Sequence, residues 1–166
     1  MTTRIVLDAM GGDHAPKEIV AGALAAAGTL GAEIILVGDT EAIRAELKGE
    51  EKGLRIVHAA DVIAMDDHAT ESVKAWPDAS INVGLRLVKA GEADAFVTAG
   101  NTGATMAAAL LTLGRIRGIS RPALATVFPT GAGRLTMLLD VGGAAVLGRG
   151  RRKTPRVMRS SQPRFT

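Results

Sequence analysis

The sequence predicts an α/β protein built on a mainly parallel sheet with helices on both faces. Short, almost continuously apolar runs recur along residues 1–142, and such runs are typical of strands buried on both sides of a parallel sheet. Segments with the apolar spacing of a helix separate them, as in repeated strand–helix–strand units. The chain has 166 residues, 47% of them hydrophobic, and no cysteine, so it can bury a core without a disulfide framework.

The elements can be placed in order along the chain. Six apolar runs are the predicted strands, at residues 5–7, 34–37, 54–57, 95–98, 124–128 and 135–139. Apolar residues at helical spacing predict four helices, at about residues 17–30, 40–47, 81–90 and 104–113. Asp39 or Thr40 can cap the second helix. Residues 61–78 are too long for an ordinary connection, so we expect a functional loop or a short irregular helix there.

In a parallel sheet of this kind, the carboxyl ends of the strands and the loops that follow them lie along one edge. That edge is where α/β proteins bind ligands. It would collect residues 8–14, 38–39, 60–68, 99–103 and 140–142.

The net charge of +3 is unevenly distributed along the chain. Residues 1–142 hold 13 Lys and Arg against 17 Asp and Glu, whereas residues 143–166 hold seven Lys and Arg and no acid. The last 24 residues also lack a helical or strand period, so we expect a body at 1–142 and a basic, disordered tail at 143–166. Because Phe165 is the one aromatic residue of that tail, we expect no specific nucleic-acid binding.

The N-terminal residues do not resemble a signal peptide, since Asp8 follows the first apolar run directly. No apolar stretch approaches the roughly 18 residues needed to cross a bilayer. We therefore expect a soluble cytoplasmic protein.

A glycine turn follows the fourth predicted strand and opens a helix. Its residues are Gly100, Asn101, Thr102 and Gly103. Glycines let a backbone approach a ligand closely, and free N–H groups at a helix N-terminus attract anions. The turn has neither dinucleotide-site spacing nor the lysine of a Walker loop. It is either a cradle for phosphate or carboxylate, or an ordinary tight turn with a helix cap.

A second glycine-rich loop follows the first predicted strand and carries Asp8, Asp13 and His14. Two carboxylates and an imidazole at a strand end could bind a cation, position a substrate or move a proton. The alternative is structural: Asp8 would brace the loop through backbone N–H groups, and His14 would be solvated. For the loop as a unit, the functional interpretation is favoured.

Two other kinds of chemistry have less support. Asp66, Asp67 and His68 could form a metal cluster, but three adjacent loop residues seldom face one ion, so a solvated loop is favoured and no metal site is predicted. No serine lies in the GxSxG turn of a serine hydrolase.

Five ordered blocks of the body resemble the bacterial phosphate acyltransferases that use acyl carrier protein. The blocks are IVLDAMGGDHAP at 5–16, VIAMDD at 62–67, GEADAFVTAGNTGA at 91–104, LGRIRGISRPALA at 113–125 and LLDVG at 138–142. The resemblance implies a three-layer α/β/α sandwich related to phosphotransacetylases and isopropylmalate dehydrogenases. It also implies transfer of a fatty acyl group from acyl carrier protein to inorganic phosphate, giving acyl phosphate for phospholipid synthesis.

The same resemblance implies a cytoplasmic homodimer that acts beside the membrane, where a partner acyltransferase consumes the product, and it assigns no metal or organic cofactor. After residue 142 the family's pattern stops and the basic tail begins. We therefore expect the C-terminal half of the family's fold to be missing, dimerisation to be doubtful and this chain to be inactive. The alternative function is a non-catalytic α/β module that binds phosphate or a nucleotide.

Overall fold

The structure is a computed structural model that describes residues 2–119, 122–130, 134–139 and 157–158. Its elements in chain order are β1 (Thr3–Asp8), α1 (Lys17–Ala26), β2 (Ala32–Gly38), α2 (Thr40–Leu47), β3 (Arg55–His58), α3 (Ala69–Ala75), α4 (Ser80–Lys89), β4 (Ala95–Val97), α5 (Thr102–Thr112), β5 (Ala125–Thr130), β6 (Arg134–Leu139) and β7 (Val157–Met158). The chain divides into two compact units, residues 1–114 and residues 115–166.

The first unit has the predicted α/β architecture. Its four strands are all parallel and lie in the order β3-β2-β1-β4. Alternate residues of β2 face opposite sides of this sheet: Ile34 and Leu36 pack with α1 and α2, whereas Ile35 and Val37 pack with α4. The α/β/α layering expected from the sequence is therefore confirmed.

Helix α4 lies unusually close to the sheet because Gly84 has no side chain. A Cβ atom at Gly84 would overlap the ring of Phe96 on β4 and would come within 3.2 Å of Val6 on β1. Helix α5 packs in turn against α3 and α4, through Ala104, Ala107 and other small residues.

An ion pair joins β1 to the edge strand β4 at their amino ends. The guanidinium of Arg4 lies 2.9 Å from the Asp94 carboxylate, which also accepts the Arg4 backbone N–H at 2.8 Å. Hydrogen bonds from the side chain and then the backbone of Arg4 lower the pKa of Asp94, and the same side-chain bond raises the pKa of Arg4. The pair holds the register in which Ile5 faces Ala95.

Three details sharpen the sequence predictions for the first unit. Asp39 is the cap of α2, and its carboxylate accepts from the backbone N–H groups of Glu41 and Ala42. The long segment at 61–78 contains the short helix α3. In this segment Trp76 is 36% exposed, and its backbone carbonyl accepts from the Asn82 amide at 2.8 Å.

The second unit departs from the predicted parallel sheet. Strands β5 and β6 lie where the sequence predicted strands, but they form an antiparallel pair, in which Ala125 faces Leu139 and Thr130 faces Arg134. Strand β7 pairs with β6 in the same separate sheet, so residues 157–158 of the tail are in a strand. The rest of the predicted tail and the expected edge residues 140–142 lie outside the described residues. The domain boundary after residue 142 stays a prediction.

Candidate functional site

The candidate site lies where the order of the strands reverses. From β1 the chain moves outward to β2 and β3, and then crosses back over the sheet to β4 on the other side of β1. The helices of the first two steps cover one face, and α4 covers the other. The loops after β1 and β4 therefore leave the carboxyl ends of neighbouring strands at the switch point of the sheet, which is where open α/β sheets bind ligands.

The two glycine-rich loops, which the sequence suggested separately, contact each other at this position. A Cβ atom on Gly11 would lie 2.6 Å from the Thr98 hydroxyl and 2.8 Å from the Gly100 nitrogen. A Cβ atom on Gly100 would lie 3.2 Å from the Cα atom of Gly11. Gly11 has no room for a side chain, and a Cβ atom on Gly100 would make its neighbours shift by a few tenths of an ångström, so the two backbones approach each other closely.

The buried carboxylate of Asp8 is hydrogen-bonded to both loops. Asp8 is 1% exposed, and its carboxylate accepts from the backbone N–H of Met10 at 3.1 Å and from the Thr98 hydroxyl at 2.8 Å. The Thr98 hydroxyl accepts in turn from the backbone N–H of Gly100 at 2.9 Å. These contacts fit the structural alternative considered for Asp8, in which its carboxylate braces the loops.

Asn101 is the N-cap of α5 and also holds the loop that follows β3. Its side-chain oxygen accepts from the backbone N–H of Ala104 at 3.0 Å. Its side-chain nitrogen donates to the carbonyls of Ala64 and Met65, at 3.0 and 3.2 Å, and lies 3.4 Å from that of Asp67. The side chain is thus fully used inside the protein, and it positions the turn and the loop at 64–67.

The first turn of α5 supplies the free donors of the site. In the part of the chain that the structure describes, the backbone N–H groups of Asn101, Thr102 and Gly103 have no hydrogen-bond acceptor. Thr102 is exposed and Gly103 is half-buried. The unpaired N–H groups of a helix N-terminus carry a partial positive charge, so this turn can bind an oxyanion.

Asp13 and His14 are exposed on the loop after β1, beyond the glycines that contact the second loop. The backbone carbonyl of His14 accepts from Glu18, and no side-chain hydrogen bond of either residue is present among the described residues. Both side chains are therefore available to a ligand, in contrast to Asp8.

Thr98 is the site residue that the sequence did not single out. The sequence did offer one signal for Thr98, because its hydroxyl lies at the end of an apolar strand and beside a glycine turn. The identity of its partner was not available, because Asp8 is 90 residues away in the chain and meets it only through the pairing of β1 with β4.

The remaining polar candidates do not join the site. The Asp67 carboxylate accepts from the Ala64 backbone N–H at 2.7 Å, and His58 is exposed with its Nδ1 atom 3.2 Å from the Thr40 hydroxyl. Among residues 2–119, 122–130, 134–139 and 157–158, no three His, Asp or Glu side chains are grouped to hold a metal ion. Within those same ranges, no helix is both long enough and apolar enough to span a membrane.

Comparison with known proteins identifies relatives of this chain. The sequence model of a family described as "Fatty acid synthesis protein" matches residues 3–148. Among curated proteins, the chain is 56% identical over 142 residues to a phosphate acyltransferase of Herpetosiphon aurantiacus. The chain belongs to this family of fatty acid synthesis proteins. The resemblance drawn from the five sequence blocks is thereby confirmed.

Other family members match over the same part of the chain. The phosphate acyltransferase of Desulforamulus reducens is 52% identical over 141 residues, and that of Geobacter sulfurreducens is 52% identical over 143 residues. Each of these three alignments covers 84% of this chain but only 38% to 42% of the relative. The chain therefore spans about two fifths of the length of these family members.

Proposed function

We propose that this chain carries the phosphate-binding part of an enzyme that transfers a fatty acyl group from acyl carrier protein to inorganic phosphate. The product is acyl phosphate, used in phospholipid synthesis. The observation that supports the proposal most is the turn that opens α5, whose N–H groups are free and which lies at the topological switch point of the sheet. The relatives of this chain are named phosphate acyltransferase.

In this reaction a phosphate oxygen attacks the carbonyl carbon of the acyl thioester. A carbon–oxygen bond forms, the carbon–sulfur bond breaks, and the thiol of the carrier leaves with the proton given up by phosphate. The step changes no oxidation state, and we propose no metal or organic cofactor for it. The protein has to hold phosphate with one oxygen free to attack and to stabilise the oxyanion that forms at the carbonyl.

The N–H groups of Thr102 and Gly103 would hold phosphate oxygens, since they are free and lie at the positive end of α5. The N–H of Gly100 is already bonded to Thr98, so it is not a free donor. Gly100 would instead favour phosphate binding by having no side chain. Asn101 would act through position, since its amide is bonded within the protein. The phosphate site is thus mainly a backbone site.

Asp13 and His14 are the two exposed polar groups through which the first loop could act on phosphate or on a proton. Asp8 would support them indirectly, by holding the start of their loop against the second glycine loop. We propose the cytoplasm beside the membrane as the place of reaction, where a partner acyltransferase would consume the acyl phosphate. Homodimer formation, as the family resemblance implies, would belong to the full-length relatives.

A second function is favoured by the burial of Asp8. A site whose central carboxylate is 1% exposed offers donors to an anion but no accessible carboxylate at its centre. Such a site suits a non-catalytic module that binds phosphate or a nucleotide.

Phosphate-dependent release of thiol from acyl carrier protein distinguishes the two functions. It should be measured on the 166-residue chain and on a hybrid in which residues 1–142 continue into the C-terminal part of the Herpetosiphon aurantiacus relative, each with a phosphate-free control. We expect the hybrid to form acyl phosphate and the isolated chain to be inactive. A folded hybrid that binds phosphate without acyl transfer would favour the binding module, and turnover by the isolated chain would contradict its expected inactivity.

A further inference from the structure

The buried carboxylate of Asp8 has a hydrogen-bonding arrangement that fixes the direction of each bond around it. An ionised carboxylate only accepts, and Asp8 accepts from the Met10 N–H and the Thr98 hydroxyl. Because a threonine hydroxyl has a single proton, Thr98 donates that proton to Asp8 and accepts the Gly100 N–H through a lone pair. The bonds therefore run in one direction, from Gly100 through Thr98 to Asp8.

The negative end of this chain of bonds strengthens the bond at Gly100. A hydroxyl that donates to a carboxylate is polarised and becomes a better acceptor, and hydrogen bonds to charged groups are stronger than neutral ones. Gly11 packs so closely on this turn that a Cβ atom on it would lie 2.6 Å from the Thr98 hydroxyl and 2.8 Å from the Gly100 nitrogen. The conformation of residues 98–100 is thereby tied to a residue at the end of another strand.

This coupling matters because α5 begins at Thr102, two residues after Gly100. Gly100 turns its N–H toward Thr98, Asn101 caps the helix, and the next N–H groups are the free ones. Asp8 reaches this turn through the Thr98 hydroxyl, which lies between its carboxylate and the Gly100 N–H. Its charge can contribute to the site only through the hydroxyl that separates it from the turn.

We propose that Thr98 is a positioning residue for the phosphate site, and that its hydroxyl couples the Asp8 carboxylate to the Gly100 N–H and so orients the N–H groups of Asn101, Thr102 and Gly103. This inference rests on the proposed function, since it takes phosphate as the ligand of that turn. It gives Asp8, the last residue of β1, a role in phosphate binding that requires no contact between Asp8 and the substrate.

The test compares Thr98→Val, which keeps the shape and loses the hydroxyl, with Thr98→Ser, which keeps the hydroxyl. Inorganic phosphate is titrated into the ¹⁵N-labelled 166-residue chain, and the dissociation constant is taken from the amide shifts. We expect Thr98→Val to weaken binding about tenfold or more and Thr98→Ser to remain within about threefold of the unmodified chain. Thr29→Val is the matched control, because the Thr29 hydroxyl bonds to the Ala25 and Ala26 carbonyls away from the site, and it should bind normally.

Unchanged phosphate affinity in a folded Thr98→Val variant would overturn the proposal. A second measurement applies even if that variant does not fold: in the unmodified chain the Gly100 amide should exchange its proton more slowly than the Gly103 amide. Equally fast exchange would also overturn the coupling. If the unmodified chain binds no phosphate while Gly100 is protected, the proposed phosphate site fails but the coupling between Asp8, Thr98 and Gly100 stands.

Discussion

The side-chain amide of Asn101 donates to the backbone carbonyl of Ala64 over 3.0 Å, and this bond joins the start of α5 to the loop after β3. The same amide also caps the helix through the Ala104 N–H. Asn101 is 8% exposed, and its removal would leave the buried N–H of Ala104 without its cap and would release the loop at 64–67.

Replacing this residue should therefore affect both stability and phosphate binding. We expect Asn101→Ala to lower the free energy of unfolding by about 1–3 kcal/mol, from the lost cap and the unsatisfied carbonyls. Phosphate affinity should fall as well, because the turn loses its position. Urea unfolding and phosphate titration measure the two effects.

Asn82→Ala is the control for the Asn101 variant. The Asn82 amide is also buried and donates to two carbonyls, those of Val73 at 2.9 Å and Trp76 at 2.8 Å, but it lies outside the candidate site. It should destabilise the protein by a similar amount and leave phosphate affinity unchanged. A loss of affinity in both variants alike would mean that general destabilisation explains the effect.

Gly11→Ala tests the contact between the two glycine loops. The added Cβ would lie 2.6 Å from the Thr98 hydroxyl and 2.7 Å from the Asp8 carboxylate, so the loops must move apart. Forced insertion of a methyl group into such a site costs about 1–3 kcal/mol. The variant should be less stable in urea unfolding, and its phosphate affinity should fall.

Gly22→Ala is the matched control for that variant, since a Cβ at Gly22 would meet no atom within 4 Å. Gly22 lies inside α1, where alanine is better than glycine by about 0.5–1 kcal/mol, so the control should be more stable than the unmodified chain. A stable Gly11→Ala variant with normal phosphate affinity would show that the loops do not need their close approach.

The Arg4–Asp94 pair should make stability depend on pH. Because Arg4 lowers the pKa of Asp94 in the folded protein, the pair stabilises the fold above the ordinary aspartate pKa of about 3.9. This stabilisation is lost as the pH falls through the lowered pKa and the folded carboxylate takes up a proton. Asp94→Asn should therefore be less stable than the unmodified chain near pH 7, and the difference should shrink on acidification.

Thermal unfolding of both proteins from pH 7 to pH 3 measures that difference. A gap in melting temperature that stays constant over the range would contradict the assigned role of Asp94.

The sequence patterns were informative about the sheet and less so about its edges. Continuous apolar runs such as residues 34–37 predict buried parallel strands, because both faces of such a strand meet helices, and β2 behaves in this way. The same reasoning did not predict the antiparallel pairing of β5 with β6. Periodicity within a strand reports which side chains are buried, whereas the partner and its direction depend on the rest of the fold.

The candidate site shows a similar division. The sequence could select the two glycine loops as candidates for ligand binding, because glycine and polar residues at strand ends have a local meaning. Their contact was not predictable, since Gly11 meets Gly100 only after β1 pairs with β4. For the same reason the sequence did not predict that the Asn101 amide is bonded to Ala64, which belongs to another loop.

We propose above all that the turn that opens α5 binds phosphate through its backbone N–H groups. Titration of inorganic phosphate into the ¹⁵N-labelled chain tests it most directly. We predict saturable shifts at the amides of Asn101, Thr102 and Gly103, whose N–H groups are free in the described part of the chain, and a smaller shift at Gly100, whose N–H is bonded to Thr98. The absence of saturable shifts at those three amides, up to phosphate concentrations well above those of a cell, would contradict the account.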